Sequence, residues 1–190
     1  MYSHWRFFEA LDEDLIRLSR YVEPAPENMN CYSTEIGRLY LATCAEVDVI
    51  MKMICRGLTS YDHPRSIKGY REIILHRYKH FCDTKIELPE YKIHFVPWIQ
   101  WKTIESPNWW QDYNKIKHER DKYFARANMS NLLLSASGLL VALFYLSSRS
   151  LYTNEYTPRF RFLQFHSDYA ACMKFGYTYT HPEFGNSEKP

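Results

Sequence analysis

The chain has 190 residues, 46% apolar and 24% charged, a composition that fits one globular domain with a sizeable core. Its 24 basic and 22 acidic residues leave a net charge of only +2, which excludes a uniformly cationic nucleic-acid binder and confines any RNA contact to a local patch. Aromatic residues reach 17%, and 16 Tyr with 5 Trp imply an aromatic-rich core edge or groove where polar tips find partners.

Cys31, Cys44, Cys55, Cys82 and Cys172 form no CxxC pair and no metal-finger spacing, so they are expected as buried free thiols in a reducing, cytoplasmic setting. The opening MYSHWRFFEALDEDL carries acidic residues where a signal peptide needs an uninterrupted apolar stretch.

Trp5, Phe8, Leu11, Leu15, Leu18 and Val22 recur at steps of three and four and predict a first helix from Trp5 to Val22, stopped before Pro24 and Pro26. Ser33 or Thr34 caps a second helix to about Arg56, with Gly57 as its stop. Its stripe is Ile36, Leu39, Tyr40, Val47, Ile50, Met51 and Ile54. Glu46 borders that stripe half-desolvated and needs a cationic or hydrogen-bonding partner; Asp48 falls on the other border.

Leu58 to Pro64 reads as loop, and Ser66 to Phe81 as a shorter helix weakened by Gly69, bearing Arg71, His76, Arg77, Lys79 and His80 as a basic face. Lys85 to Lys102, with Pro89, Pro97 and many aromatics, is expected as an irregular segment packed over the helices. Ser106 as cap and Pro107 at the first helical position open a helix running through NWWQDYNKIKHERDKYF. A polar break, ARANMSN, separates it from an apolar helix ending near Ser148. The stretch Leu132 to Leu146 is shorter than the ~20 residues of a bilayer span and contains Ser135, Ser137 and Gly138, so it is expected as a buried central helix and not a membrane segment. The aromatic tail from Tyr152 to Pro190 lacks helical period; a short strand pair is expected around Arg159–Phe165 and Lys174–Tyr179, with the last few residues disordered.

No glycine-rich phosphate loop, HExxH, GxSxG or EF-hand loop occurs, which argues against the common nucleotide hydrolases, zinc proteases and serine esterases. A metal reading built on Glu46, Asp48 and His118 lacks the paired ExxH motifs of helical-bundle metal enzymes, so no metal or cofactor is expected. The richest polar constellation is Trp110, Asn114, Lys117, His118 and Asp121, which share one face of a continuous helix, with Arg120 on the neighbouring side. Trp109, Tyr113, Ile116 and Phe124 form the apolar anchor opposite. An amide, an imidazole and cations on one face are the groups needed to bind a phosphodiester and move a proton.

The strings YVEPAPENMNCYSTEIGRLYLATCAEVDVIMK, YREIILHRY and SPNWWQDYNKIKHERDKYFARAN, followed by the LLLSASGLLVALFYL helix, resemble a widespread bacterial family marked by the pattern WWxxYNxxKHxR, over roughly residues 3 to 148. More remotely, the layout resembles HEPN domains, small four-helix bundles of prokaryotic toxins, CRISPR effectors and antiphage systems. Those carry an Arg-Asn dipeptide and a His four residues after the Asn, near the end of the third helix. Asn114 and His118 match; Tyr113 stands where that Arg would be.

The resemblance implies a mainly α, HEPN-like bundle of four to five helices over residues 1–150, with residues 151–190 as a tail packed on it and not a separate domain. It implies a metal-independent ribonuclease or toxin of a defence or stress system. His118 would be general base or acid, and Asn114, Lys117 and Arg120 would stabilise the phosphorane, with no cofactor. Glu46 would orient His118 or a cation, and Tyr113, Asp121 and Trp110 would line the binding face. A homodimer would bring two copies of the motif together. The alternative is a non-catalytic HEPN-like module that binds RNA or a protein partner.

Overall fold

In the computed structural model the described residues are 2–59, 64–147 and 158–166, together with the backbone of Ala170–Met173 and Gly176–Tyr179. Helices dominate, as the apolar spacing requires. Helix α1 (Tyr2–Ser19) buries Trp5, Phe8, Leu11, Leu15 and Leu18, and ends earlier than Val22. Helix α2 (Thr34–Leu58) starts where Ser33 Oγ accepts the Ile36 amide at 3.1 Å, and buries its whole expected stripe. It continues through Gly57, which is not its stop. Helix α3 (Ile67–Arg77) is capped by Ser66, whose Oγ accepts from the Gly69 amide at 3.3 Å.

Helix α3 does not reach Phe81. The chain leaves it at Tyr78 and tightens into a 3-10 turn at Phe81–Asp83, so that both the Tyr78 and Phe81 rings meet Tyr145, at 4.9 and 4.8 Å between centroids. Burying two rings against one tyrosine outweighs the remaining helical turn.

The segment expected as an irregular loop holds a small hairpin. Strands β1 (Ile86–Leu88) and β2 (Ile93–Phe95) pair antiparallel, Glu87 opposite His94, around a 3-10 turn closed by Lys92 at φ 55. Three-residue strands carry too little alternation to be read from sequence. Strand β3 (Gln164–Phe165) joins the free edge of β1, giving the order β2-β1-β3. The expected pairing of Arg159–Phe165 with Lys174–Tyr179 is therefore corrected: β4 (Ala170–Met173) pairs with β5 (Gly176–Tyr179) instead. Residues 60–63 of the expected 58–64 loop, residues 148–150, and residues 151–157, 167–169, 174–175 and 180–190 of the expected tail lie outside the described residues.

Beyond the hairpin, the Trp98 and Trp101 rings meet tilted, 4.4 Å between centroids, and Trp98 meets Trp109 at 5.0 Å. Helix α4 (Asn108–His118) is not capped by Ser106. Gln100 Oε1 accepts the Asn108 amide at 2.7 Å, so a side chain from the preceding 3-10 turn does the capping. Helix α4 leads into the short helix α5 (Arg120–Tyr123), a 3-10 turn at Phe124–Arg126, and helix α6 (Met129–Ser147), whose first turn is capped by Asn128.

Helix α6 is the centre of the molecule. It packs along α2, with α1 and α4 beside it. Gly138 is the reason α4 can approach: a Cβ there would lie 3.2 Å from the Trp109 ring and 3.4 Å from Trp98, whose Nε1 donates to the Gly138 carbonyl. The helix is long and apolar enough by composition to cross a membrane, but 78% of its most apolar window is buried inside the protein. Cys44, Cys55 and Cys82 are buried free thiols, and burial pushes Cys55 and Cys82 up to about 12; Cys31 is exposed, against expectation.

The segment 158–166 is fastened to α1. Asp12, 2% exposed, accepts the amides of Arg161, Phe162 and Leu163 at 2.7, 3.1 and 3.2 Å, while Glu9 accepts that of Arg159 at 2.6 Å. Phe160 stacks on Trp5 alongside, and Phe165 packs on Phe144.

Candidate nucleic-acid interface

The interface is built on α4 and α5 and on the turn that joins α5 to α6. On one side of α4, Trp109, Tyr113 and Ile116 are buried; Tyr40 on α2 donates its hydroxyl to the Trp109 carbonyl, and Trp109 Nε1 donates to Pro97 O at 2.9 Å. These bonds fix the helix at its N-terminal half. Its C-terminal half turns Lys115, Lys117 and His118 to solvent.

The expected continuous polar helix is interrupted. Glu119 has φ −138 and ψ 59, so it ends α4 and begins α5 one residue after His118. Asp121, placed by sequence on the α4 face, belongs to the next element and is exposed. The turn brings Phe124 against α2 at Gly37, where an added Cβ would come 2.7 Å from the Phe124 ring, and delivers Asn128 to bridge with Tyr32. The amides of Met129 and Ser130 then donate to Cys31 and Met29 carbonyls, each at 2.9 Å. The segment 29–32 thus clamps the start of α6 and holds α5 in place.

Trp110 is 5% exposed and packs on Tyr113 at 5.2 Å, so it belongs to the core and not to a binding face. Tyr113 is 7% exposed; burial, with Cys44 and Asp48 nearby, pushes its hydroxyl above the ordinary tyrosine value and keeps it protonated. It cannot supply the charge of an arginine. Lys117 Nζ stands 5.8 Å from the Tyr113 ring centroid. Asn114 is half-buried one turn before the exposed His118.

Glu46 does not face His118. Its Oε1 meets His4 Nδ1 on α1 at 2.5 Å, and both side chains are half-buried. The carboxylate at the stripe border found its partner in a residue 42 positions away, which helical spacing within α2 could not reveal. Asp48 is likewise engaged, by Lys52 and by the Tyr70 hydroxyl at 2.8 Å. Among the described residues no three His, Cys, Asp or Glu side chains are grouped to hold a metal ion.

The charge balance of this face is local. Between residues 115 and 126 stand Lys115, Lys117, Arg120, Lys122 and Arg126 against Glu119 and Asp121 alone. Asp112, one turn earlier, neutralises Arg126 at 2.7 Å and Lys115 at 3.5 Å and accepts from Asn131 at 3.2 Å; Glu119 pairs with Lys122. Lys117, His118 and Arg120 have no acidic partner among the described residues, and Arg120 lies over the Phe124 ring at 4.7 Å. The other basic face is partly structural, since Arg71 Nε donates to the Trp101 carbonyl at 2.6 Å.

No family model, curated protein or solved structure matches this chain. Its functional reading rests on its own residues. Sequence reasoning brought Asn114, Lys117, His118 and Arg120 together, and all four lie at the α4–α5 junction. It missed Asp112, whose role depends on residues from two later elements, and Tyr32, which local pattern gave no reason to select.

Proposed function

We propose that this is a HEPN-like RNA-binding protein that contacts the phosphate backbone through Lys117, His118 and Arg120. The carrying observation is that these three exposed side chains, at one helix junction, have no acidic partner among the described residues, in a chain whose net charge is only +2. Lys117 and Arg120, on meeting phosphates, displace the counterions condensed on the nucleic acid, and that release drives binding. Asn114 adds an amide beside them, and the buried tryptophans behind α4 keep the face from yielding. Binding of a mixed pool of RNA oligonucleotides tests the reading. Lys117→Glu with Arg120→Glu is expected to weaken binding on the order of tenfold or more and to flatten its salt dependence. Unchanged affinity in the folded double variant contradicts it.

A second reading, cleavage, draws on the placement of Asn114 and His118 one turn apart with the imidazole at the solvent-facing end of α4. In it, His118 takes the proton of a ribose 2′-hydroxyl, the 2′-oxygen attacks phosphorus to form the cyclic phosphate, and the P–O5′ bond breaks as the 5′-oxygen takes a proton from water. Lys117 and Arg120 steady the charge that develops, and two copies of the motif face each other in a homodimer. Lys117 offers a point charge in place of the planar fork of arginine, so a slow reaction is expected. Cleavage by the wild type in chelator, leaving cyclic phosphate ends and lost in His118→Ala, supports this reading. A folded dimer that binds RNA and leaves it intact restricts the function to binding.

A further inference from the structure

Rings and cations alternate around the α4–α5 junction. Arg120 covers Phe124 at 4.7 Å, Arg126 stands 5.6 Å from the Tyr123 ring, and Tyr32 meets the edge of Phe124 at 6.0 Å in a near-perpendicular arrangement. Tyr32 is 52% exposed, one of the few large apolar side chains left open to solvent among the described residues. Its position is nonetheless fixed. The backbone at Tyr32 bridges to Asn128, and the Cys31 carbonyl next to it accepts the first amide of α6 at 2.9 Å. Gly37 lets Phe124 settle against α2, which holds the ring that Tyr32 abuts. Tyr32 therefore offers a half-open ring on a fixed backbone, edge-on to the ring that Arg120 covers.

Phosphate contacts alone would be served by cations on a bare surface. A ring beside them offers something a duplex cannot use, because its bases are already stacked on one another. Single-stranded nucleic acid presents free base faces at the same spacing as its phosphates, and proteins bind it by pairing aromatic platforms with a cationic track. We propose that the substrate is single-stranded RNA, and that Tyr32 is a stacking platform for one unpaired base while Arg120 and Lys117 hold the neighbouring phosphates. This deepens the RNA-binding reading and rests on it.

The test compares a short single-stranded oligoribonucleotide, the same strand carrying abasic sites, and a duplex of equal length, by fluorescence anisotropy with the full chain. Wild type is expected to prefer the intact single strand over both others by on the order of tenfold. Tyr32→Ala is expected to erase that preference while leaving duplex and abasic binding unchanged, and Tyr32→Phe is expected to retain it. Melting curves on both variants check the clamp, which uses the backbone of this segment and not the hydroxyl. If Tyr32→Ala keeps the full preference, the stacking role is overturned while RNA binding through Lys117 and Arg120 stands. Equal affinity of wild type for all three probes also overturns it, and absence of any binding overturns both readings.

Discussion

Asp12 shows how much one side chain can hold. Three consecutive amides converge on a carboxylate that is 2% exposed, and a segment about 150 positions later in the chain is fixed by it. In Asp12→Ala those donors lose their acceptor, so a loss of roughly 1–3 kcal/mol is expected in urea denaturation. Burial raises the carboxyl pKa and outweighs the opposing backbone donors from Arg161, Phe162 and Leu163. A folded value above the unfolded one means the folded state binds more protons, so this group's contribution is greatest at low pH and falls as pH rises through the raised value. As pH rises above about 4, the wild type should therefore lose stability relative to Asp12→Asn, in which that titration is absent. Urea midpoints of both proteins across the range check this; a wild type that gains on the variant with rising pH would contradict it. Glu46 belongs to the same scale: its partner is His4, so its removal should affect the α1–α2 contact and leave RNA binding unaltered.

At the scale of elements, local rules and packing compete, and Gly138 measures the outcome. Alanine is the better helix former by about 1 kcal/mol, yet its Cβ would press on two buried tryptophans whose Nε1 groups are hydrogen-bonded. Neither ring can give way, so Gly138→Ala is expected to destabilise by about 1–2 kcal/mol in thermal or chemical melting. Ser33→Ala should cost about 1 kcal/mol through the lost α2 cap. The helices themselves were legible from sequence because long amphipathic stripes repeat: every apolar residue expected to face inward on α2 does so. The features that escaped were decided by distant partners. Glu119 sits in a stretch of good helix formers, yet the chain breaks there, and beyond the break Phe124 seats on Gly37 of α2. Gln100 replaced Ser106 as a cap because the preceding 3-10 turn brought it near. The two strands flanking β1 were unreadable at three and two residues. The candidate site was legible in part: Asn114 and His118 by their spacing, Lys117 and Arg120 by their charge, but not the burial of Trp110, the removal of Asp121 to another element, or the platform at Tyr32.

For the molecule as a whole, an apolar helix runs through the centre and polarity is sorted to the periphery. Helix α6 is enclosed by α2, α1, α4 and the tryptophan-bearing segment, so the α4–α5 junction stands on a rigid base. Function depends on that base only through position, which is why charge reversals at exposed Lys117 and Arg120 are expected to leave the melting temperature almost unchanged while altering RNA binding. RNA is proposed to lie on this face. Photo-crosslinking of a bound oligoribonucleotide, with the modified residues located by mass spectrometry, addresses it most directly. Crosslinks gathered on Tyr32, Tyr123, Phe124 and the peptide carrying Lys117–Arg120 are the expected result, and crosslinks confined to Arg77 at the end of α3 and His80 in the turn beyond it would contradict it.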